Sequence, residues 1–480
     1  MAYQFQPLKK GREIRLLEIK PPTDPTTSPF SLRIYDLSRL PRYEAISYTW
    51  GQPEFSSSIT CDGDELPITN NCATMLRYLR LEATKVRRVW IDQICINQND
   101  IPERNDQVLL MTKIYSRAGQ VIAWIGECDE AEIRCLDLIA QFRWTDTLRK
   151  VAKNYRSRWE GESHDGTSGD IGLDEVPEEV KPWFDKSGWA RATLDVIICK
   201  PYFRRLWIVQ EVTVARRVTL KCGACSLSMR HLYNVCNFLY DIALWGGPER
   251  NGVYITNLCK YRQSYAKYGT LDYDGLRRLL STTKRCLVAD NRDKIYALRG
   301  ICKTLMKHTP LPDYSKSDVE IFIETAKASN IADHGRLTIL NGLRSPSHGA
   351  GLPTWCPDYG QSDRTGFVMV RSSKRLLEKS KSPGRMPVIN GNRLIVRGRI
   401  VDSIAAISRQ AIWRRDVACL PEAFKLWHSW FPFMESATSS YSGQEPMHRA
   451  FWSTLFNDTE DWLEPGSAPN PREAERLGYN

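Results

Sequence analysis

Apolar and polar residues alternate with period two near the start of the chain. Ile14-Arg15-Leu16-Leu17 and Phe30-Ser31-Leu32-Arg33-Ile34 read as short strands, separated by a Pro/Thr/Ser turn over 21–29. Residues 43–48 form a third alternating run, ended by Trp50-Gly51. Residues 59–61 and 65–68 flank Asp62-Gly63-Asp64, which signals a hairpin. The period lengthens at Asn70: Met75, Leu76 and Leu79 fall on one face of a helix over 70–81. The run 86–91 has the length of a buried strand and ends at Asp92. Pro102 opens a helix whose inner face carries Val108, Met111 and Tyr115. A second buried run, 121–125, ends at Gly126. Strands alternating with helices predict an α/β domain with a mostly parallel sheet.

Further on, the pattern loosens. Residues 160–180 are polar, acidic and glycine-bearing, and are expected to be a disordered insertion. Order is expected again at Trp183, with a helix over 189–198. From 229 to about 322 the spacing is mainly helical, and Asp290 to Leu298 is expected to start one helix with a cap. Residues 371–389 are basic and Ser/Gly-bearing, as in a flexible linker. A small β element follows, with its turn at Asn390-Gly391 and a strand over 394–401. Residues 411–463 read as helical and tryptophan-rich, and 465–480 as frayed. The expected division is 1–225, 226–370, 371–389 and 390–480.

Composition adds exclusions. The net charge of +11 is dispersed over 480 residues, so no basic stripe marks a specific nucleic-acid surface. No apolar run approaches the roughly 20 residues that cross a bilayer, and residues 1–10 have no apolar signal region. The expected location is therefore cytoplasmic, with nuclear entry through the basic segment as the alternative. Fourteen cysteines then read as reduced thiols, mostly buried. Cys222-Gly223-Ala224-Cys225 with His231 and Cys236 faintly resembles a zinc knuckle. The competing interpretation is a strand over 218–222, a turn at Gly223-Ala224 and a helix over 231–239, with no metal. Phosphate-loop, dinucleotide-fold, HExxH and GxSxG signatures are missing from the sequence.

Three tryptophan-bearing motifs stand out. The first is Tyr43-Glu44-Ala45-Ile46-Ser47-Tyr48-Thr49-Trp50-Gly51. The second is Val89-Trp90-Ile91-Asp92-Gln93-Ile94-Cys95-Ile96-Asn97-Gln98-Asn99-Asp100, continuing through Glu103-Arg104 to Gln107 and Met111. The third is Phe203-Arg204-Arg205-Leu206-Trp207-Ile208-Val209-Gln210-Glu211. Their order and spacing resemble the heterokaryon-incompatibility (HET) domain of filamentous fungi, with a motif core over 43–211. Asp293-Lys294-Ile295-Tyr296-Ala297-Leu298, Pro312-Asp313-Tyr314 and Leu352-Pro353-Thr354-Trp355 resemble segments that follow such domains. The resemblance implies a part in non-self recognition and programmed cell death. HET domains have been likened to the Toll/interleukin-1 receptor (TIR) domain, a flavodoxin-like fold, and some TIR domains cleave NAD using one glutamate.

Ligand sites in open α/β sheets lie beyond the carboxyl ends of the strands. The strands here end at Tyr48, Thr49 and Trp50, at Asp92 followed by Asn97 and Gln98, and at Gly126 and Glu127. Trp207 and Glu211 are four residues apart and share a helix face. That separation resembles the TIR arrangement, which makes Glu211 the candidate catalytic residue. A carboxylate there would stabilise an oxocarbenium-like cation or hold ribose hydroxyls. Tyr48, Trp50, Asp92, Asn97 and Arg104 are the candidate substrate-binding residues. Each has a structural alternative. Trp90 and Trp207 suit a core, and Asp92 suits a helix cap. Arg104 suits a surface pair with Glu103 or a phosphate contact, and Glu211 suits a buried pair with Arg204 or Arg205.

The functional expectation is an incompatibility-type effector acting by NAD hydrolysis, with NAD as substrate, no cofactor and no metal. A non-enzymatic module working by self-association or protein partners is the first alternative. An auxiliary protein of a secondary-metabolite gene cluster is the second.

Overall fold

Hydrogen-bonding side chains set the local boundaries along the chain. Thr69 accepts from the Cys72 amide and starts the helix Asn70–Leu81. Asp100 accepts from the Glu103 amide, with Pro102 in the first turn, and starts Ile101–Arg117. Asp129 and Glu132 form a reciprocal capping box at the start of Glu130–Gln141. The computed structural model describes residues 1–22, 28–51, 54–143, 145, 148, 180–184, 188–241, 251–271, 276–309, 311–332, 351–360 and 388–395. The insertion expected at 160–180 lies outside these residues as far as 179, and the linker at 371–389 as far as 387. The segments 411–463 and 465–480 lie wholly outside them, as does the strand expected at 394–401 beyond 395.

The chain divides into two compact units. One holds 1–332, 347–352 and 356–363; the other holds 333–346, 353–355 and 364–480. In the first unit the order is β1 (Glu13–Ile19), β2 (Phe30–Asp36), β3 (Glu44–Tyr48), β4 (Ser57–Cys61), β5 (Asp64–Ile68), α1 (Asn70–Leu81), β6 (Arg87–Trp90), α2 (Asp92–Cys95), α3 (Ile101–Arg117), β7 (Gln120–Trp124), α4 (Glu130–Gln141), α5 (Lys181–Phe184), α6 (Trp189–Cys199) and α7 (Trp207–Val214). It continues with β8 (Val218–Cys222), β9 (Cys225–Ser228), α8 (Met229–Asp241), α9 (Asn251–Tyr268), α10 (Leu276–Thr283), α11 (Asp293–Arg299), α12 (Lys303–His308) and α13 (Asp318–Ala332).

The nine strands form one sheet in the order β5-β4-β2-β1-β6-β3-β7-β8-β9. The fold is α/β as expected, but the sheet is mixed rather than mostly parallel. Four pairings are parallel, β2 with β4, β3 with β6, β3 with β7 and β7 with β8. Four are antiparallel, β1 with β2, β1 with β6, β4 with β5 and β8 with β9. Short turns force the antiparallel pairs β4–β5 and β8–β9, helix-bearing connections bring β6, β7 and β8 in parallel around β3, and β1 enters antiparallel beside β6. At the β4–β5 turn Asp62 and Gly63 both take positive φ, 52° and 94°, as a two-residue hairpin turn requires.

The parallel centre is β6-β3-β7-β8, so the carboxyl ends of these four strands share one sheet edge. Its core side chains are large: Trp90 and Trp124 are fully buried. Each such burial contributes on the order of 2–3 kcal/mol. Helix α7 is buried around its whole circumference from Ile208 to Val214, its polar residues Gln210, Glu211 and Thr213 included. It packs against α3, α9 and α11. The Gln210 amide joins three helices: with its nitrogen turned to Ala297 O (3.1 Å) and its oxygen to Thr112 N (3.3 Å), the orientation that satisfies both groups, it links α7 to α11 and α3. Gly300 allows this approach, since a Cβ there would stand 1.9 Å from Thr112 Oγ1.

Helix α11 starts without the expected side-chain cap. The Asp290 carboxylate instead accepts from the Arg292 amide and binds the Arg292 guanidinium. In the second unit β10 (Val388–Asn390) and β11 (Arg393–Ile395) form a hairpin through Gly391, and Trp355 Nε1 donates to Asn392 O (2.9 Å). No helix among the described residues is long and apolar enough to cross a membrane.

Candidate functional site

At the shared carboxyl edge, β3 presents Ser47, Tyr48, Thr49 and Trp50 in succession. Alternation along the strand separates Ser47 from its neighbours Ile46 and Tyr48. The Ser47 hydroxyl donates to Glu211 Oε2 and lies 2.9 Å from the Tyr202 hydroxyl. Glu211 comes from α7 and Tyr202 from the short 3-10 helix Pro201–Arg204. Glu211 is 1% exposed. Burial pushes its carboxyl up to about 7, against the opposing pull of Arg205 and the Ser47 hydrogen bond.

Arg205 supplies the nearest positive charge, its Nη1 3.9 Å from Glu211 Oε2. That distance is an ion pair without a hydrogen bond. Nη1 is itself buried and has no hydrogen-bond partner. Burial lowers the Arg205 pKa, but the charges of Glu211 and Asp92 outweigh it and the net shift is upward. The backbone around Arg205 is braced from the helices beyond it. Leu206 N donates to Leu287 O (3.0 Å) and Leu287 N to Arg204 O (2.6 Å). Lys294 Nζ in turn donates to Lys284 O and Cys286 O, fixing the segment that carries Leu287.

Asp92 begins α2 directly after β6. Trp50 Nε1 donates to both its oxygens, at 3.1 and 3.0 Å, and the Gln93 amide donates to Oδ1 at 2.8 Å. Burial raises the Asp92 carboxyl above the ordinary carboxylate range, and Arg205 and Trp50 partly offset it. Trp50, Asp92 and Arg205 keep partial exposure, and Glu211 is closed off. The result is a polar descent from the surface: indole, carboxylate and guanidinium, then a second carboxyl. With both acids ionised, this set carries one net negative charge, which suits a cationic or cation-like ligand group.

One further hydroxyl, Thr49 Oγ1, is buried there without a hydrogen-bond partner, and Tyr48 Oη is buried against the Cys72 thiol. Asn71 holds the edge together: its Nδ2 donates to Thr49 O (2.5 Å), and its Oδ1 accepts from Trp124 Nε1 (3.1 Å).

The structure thus brings Tyr48, Trp50, Asp92 and Glu211 to one edge, and places two other candidates elsewhere. Asn97 turns toward Glu103, whose Oε1 accepts its amide (2.7 Å), while Glu103 forms a two-pronged pair with buried Arg15. Arg104 stacks on Tyr314, its guanidinium 3.7 Å from the ring centroid. Trp90 is core, whereas Trp207 is half-buried and donates to Asp293 Oδ2 (3.0 Å). The four-residue spacing of Trp207 and Glu211 therefore does not give them common partners. Trp207, as the first residue of α7, reaches toward α11 instead.

Ser47 and Tyr202 are not among the residues the sequence points to, and Thr49 enters there only as a strand-end residue. Ser47 and Thr49 sit inside the first motif on either side of Tyr48, but strand alternation alone does not say which face meets a carboxylate. Among the described residues, no group of three or more His, Cys, Asp or Glu is arranged to hold a metal ion. The Cys222/Cys225 segment is a hairpin, and His231 and Cys236 lie on the following helix α8.

Comparison with known proteins bears on the same segment. Residues 43–211 match the family model described as heterokaryon incompatibility protein (HET). The chain is also 26% identical, over 467 residues, to a Neurospora crassa protein described as heterokaryon incompatibility protein 6, OR allele. That match covers 84% of this chain and 66% of the Neurospora protein, so the chain spans just under two thirds of that relative's length. No solved structure matches. Residues 43–211 are a heterokaryon-incompatibility domain, the family whose tryptophan motifs the chain carries.

Proposed function

We propose that the protein is an effector of a fungal incompatibility-type response, and that its Glu211 centre hydrolyses the nicotinamide–ribose bond of NAD. The role in incompatibility is supported by the family of residues 43–211 and by the name of the Neurospora relative. The chemistry is supported chiefly by one observation. Two carboxyl groups from distant segments, Asp92 and Glu211, share one arginine at the carboxyl edge of the parallel strands.

The strand order favours a TIR-like assignment. Numbered by chain position, β6-β3-β7-β8 runs 2-1-3-4, the beginning of the flavodoxin-like doubly wound order. The switch point of that order lies between β3 and β7, beside Trp50 and Gly126. NAD carries a positive nicotinamide ring, and leaving-group departure places positive charge on the ribose. A negatively charged acid pair favours both. In this mechanism ionised Glu211 faces the developing cation, Asp92 accepts a ribose hydroxyl, and Trp50 stacks on a ring. Glu211 is closed to solvent, so the dinucleotide reaches it only after Trp50 and the Arg205 segment shift. Self-association is the event assigned to that opening.

The test is nicotinamide release from NAD by the concentrated full chain, beside an active TIR hydrolase as control. Release that disappears in Glu211→Gln, with the fold retained, supports the assignment. Absence of release from assembled wild-type protein sinks it. The burial of Glu211 and its bonding to Ser47 also favour a second assignment, a polar brace in a non-enzymatic signalling module. In that case Glu211→Gln leaves the incompatibility response intact.

A further inference from the structure

The loop after β7 and the β8–β9 hairpin meet through three cysteines that the Glu211 centre does not use. The backbone fixes their approach: Ile125 N donates to Lys221 O (3.0 Å) and Gly223 N donates to Gly126 O (2.9 Å). Cys222 and Cys225 are register partners across the two-residue turn, and antiparallel partners have Cα atoms roughly 4.5–5.5 Å apart. Cys128 arrives from the loop. Its thiol donates to Cys222 O (3.0 Å) and lies 3.4 Å from where a Cβ on Gly223 would stand. Gly223 takes a positive φ of 54°, so the turn is tight and leaves this face open to the sulfur. All three residues carry thiols, Cys222 fully buried and Cys128 and Cys225 half-exposed.

We infer that Cys128 and Cys225 form a peroxide-oxidisable pair that closes to a disulfide, stapling the loop after β7 to the β8–β9 hairpin. Three features carry this. Backbone bonds hold the loop that carries Cys128 against the turn that Cys225 closes, and the Cys128 sulfur lies on that turn, so little rearrangement is needed. Both are accessible to a small oxidant, whereas Cys222 is sealed. The thiols also share hydrogen bonds: burial first, then Cys128, raises the pKa of both Cys222 and Cys225. Cys128 takes the attacking role because its sulfur is part-exposed and sits over the open face of the Gly223 turn.

The step balances with a hydroperoxide as oxidant. The Cys128 thiolate attacks the peroxide oxygen, the O–O bond breaks, and sulfenic acid and hydroxide form. The Cys225 sulfur then attacks the Cys128 sulfur, and the S–O bond breaks. The hydroxyl leaves as water with the Cys225 proton. Two thiols and one hydrogen peroxide become one disulfide and two waters.

The experiment uses the reduced full chain, treated with increasing hydrogen peroxide, alkylated and mapped by mass spectrometry without reduction. A peptide pair linked through Cys128 and Cys225 is expected before the exposed Cys199 is oxidised, together with a rise in Tm that dithiothreitol reverses. In Cys225→Ser the link is lost and Cys128 instead accumulates a sulfenic acid that dimedone traps. A link from Cys128 to Cys222 alone overturns the assignment. So does the absence of any link at a dose that oxidises Cys199. The Cys225→Ser trapping result does not depend on whether Cys128→Ser folds.

Discussion

Two buried acids, Glu211 on α7 and Asp293 on α11 against Trp207 one turn away, differ in a way that a raised pKa does not reveal. Burial pushes Glu211 up to about 7 and Asp293 up to about 6. Asp293 has a neutral donor on each oxygen, Tyr314 Oη at 2.6 Å and Trp207 Nε1 at 3.0 Å. The Tyr314 ring is in turn covered by the guanidinium groups of Arg104 and Arg292. Glu211 has Ser47 on one oxygen, but its arginine stands off at 3.9 Å with a buried N–H unpaired, and the Thr49 hydroxyl at the same edge is unpaired too. Buried polar groups are nearly always satisfied, so a local excess of unsatisfied ones marks a place built for something else to bind or move. The Asp293 centre is a finished brace between α7 and the segments beyond it. The Glu211 centre is unfinished, and that is why it is the candidate site.

The largest expected effect tests this difference directly. Glu211→Gln should lower nicotinamide release by about a hundredfold or more, the loss typical of removing a charged group from a reaction centre. Asp293→Asn should leave it within a few-fold. Equal losses, with both variants folded by circular dichroism, would break the distinction. Stability should run the other way. Asp293→Ala leaves the Trp207 N–H and the Tyr314 hydroxyl without acceptors, and should cost about 2–4 kcal/mol in urea unfolding at neutral pH. Glu211→Gln removes a carboxyl that is costly to ionise in place, and should be neutral or stabilising there.

The pH dependence sharpens the same contrast. A carboxyl whose folded pKa is raised holds its proton in the folded state after the unfolded chain has lost it. Its stabilising contribution is full below the unfolded value and disappears as pH rises through the folded one. For Glu211 that window runs from 4.5 to about 7, and for Asp293 from 3.8 to about 6. Stability of Glu211→Gln relative to wild type should therefore climb across the Glu211 window by on the order of 2 kcal/mol. The upper part of that climb, above about 6, should belong to Glu211 alone. Urea midpoints measured at closely spaced pH values check this, and a wild-type curve parallel to the variant's would show that Glu211 ionises as freely folded as unfolded.

Much of the fold was legible in the sequence because it is written in local periodicity. The apolar run of Ile14 to Leu17 and the helical spacing of Met75, Leu76 and Leu79 each found their element, the first within a strand that extends to Ile19. The Asp62-Gly63 turn found its hairpin for the same reason. Sheet order was not legible, because nothing local dictates that β1 inserts beside β6 and pairs with it antiparallel. The site was partly legible. Trp50 and Asp92 are strand-end residues, and Glu211 stands out by its position in the third motif. Their meeting at Arg205 depends on a brace from Leu287 and Lys294, more than 80 residues downstream, which no spacing encodes. Asn97 and Arg104 followed Asp92 in the chain but not in space. The turn after α2 carries Asn97 to Glu103, and Tyr314 captures Arg104.

The smallest expected effect concerns the outer layer, where Trp50 meets Asp92. Its indole N–H donates to both carboxylate oxygens, which favours the charged form and opposes the rise that burial imposes on Asp92. Trp50→Phe keeps an aromatic ring for stacking but removes that donor, and should cost about 1 kcal/mol, at the low end for a bond to a charged group because both residues keep some exposure. Pairing it with Asp92→Asn in a double-mutant cycle isolates the contact, and a coupling of about 0.5–1.5 kcal/mol is expected. If the two losses simply add, Trp50 and Asp92 are neighbours without energetic connection, and the layered descent from indole to Glu211 loses its first step. If they couple, the same cycle read out as KM for NAD separates positioning from packing. Trp50→Phe should then change KM less than Asp92→Asn does, because the ring that would stack is still present.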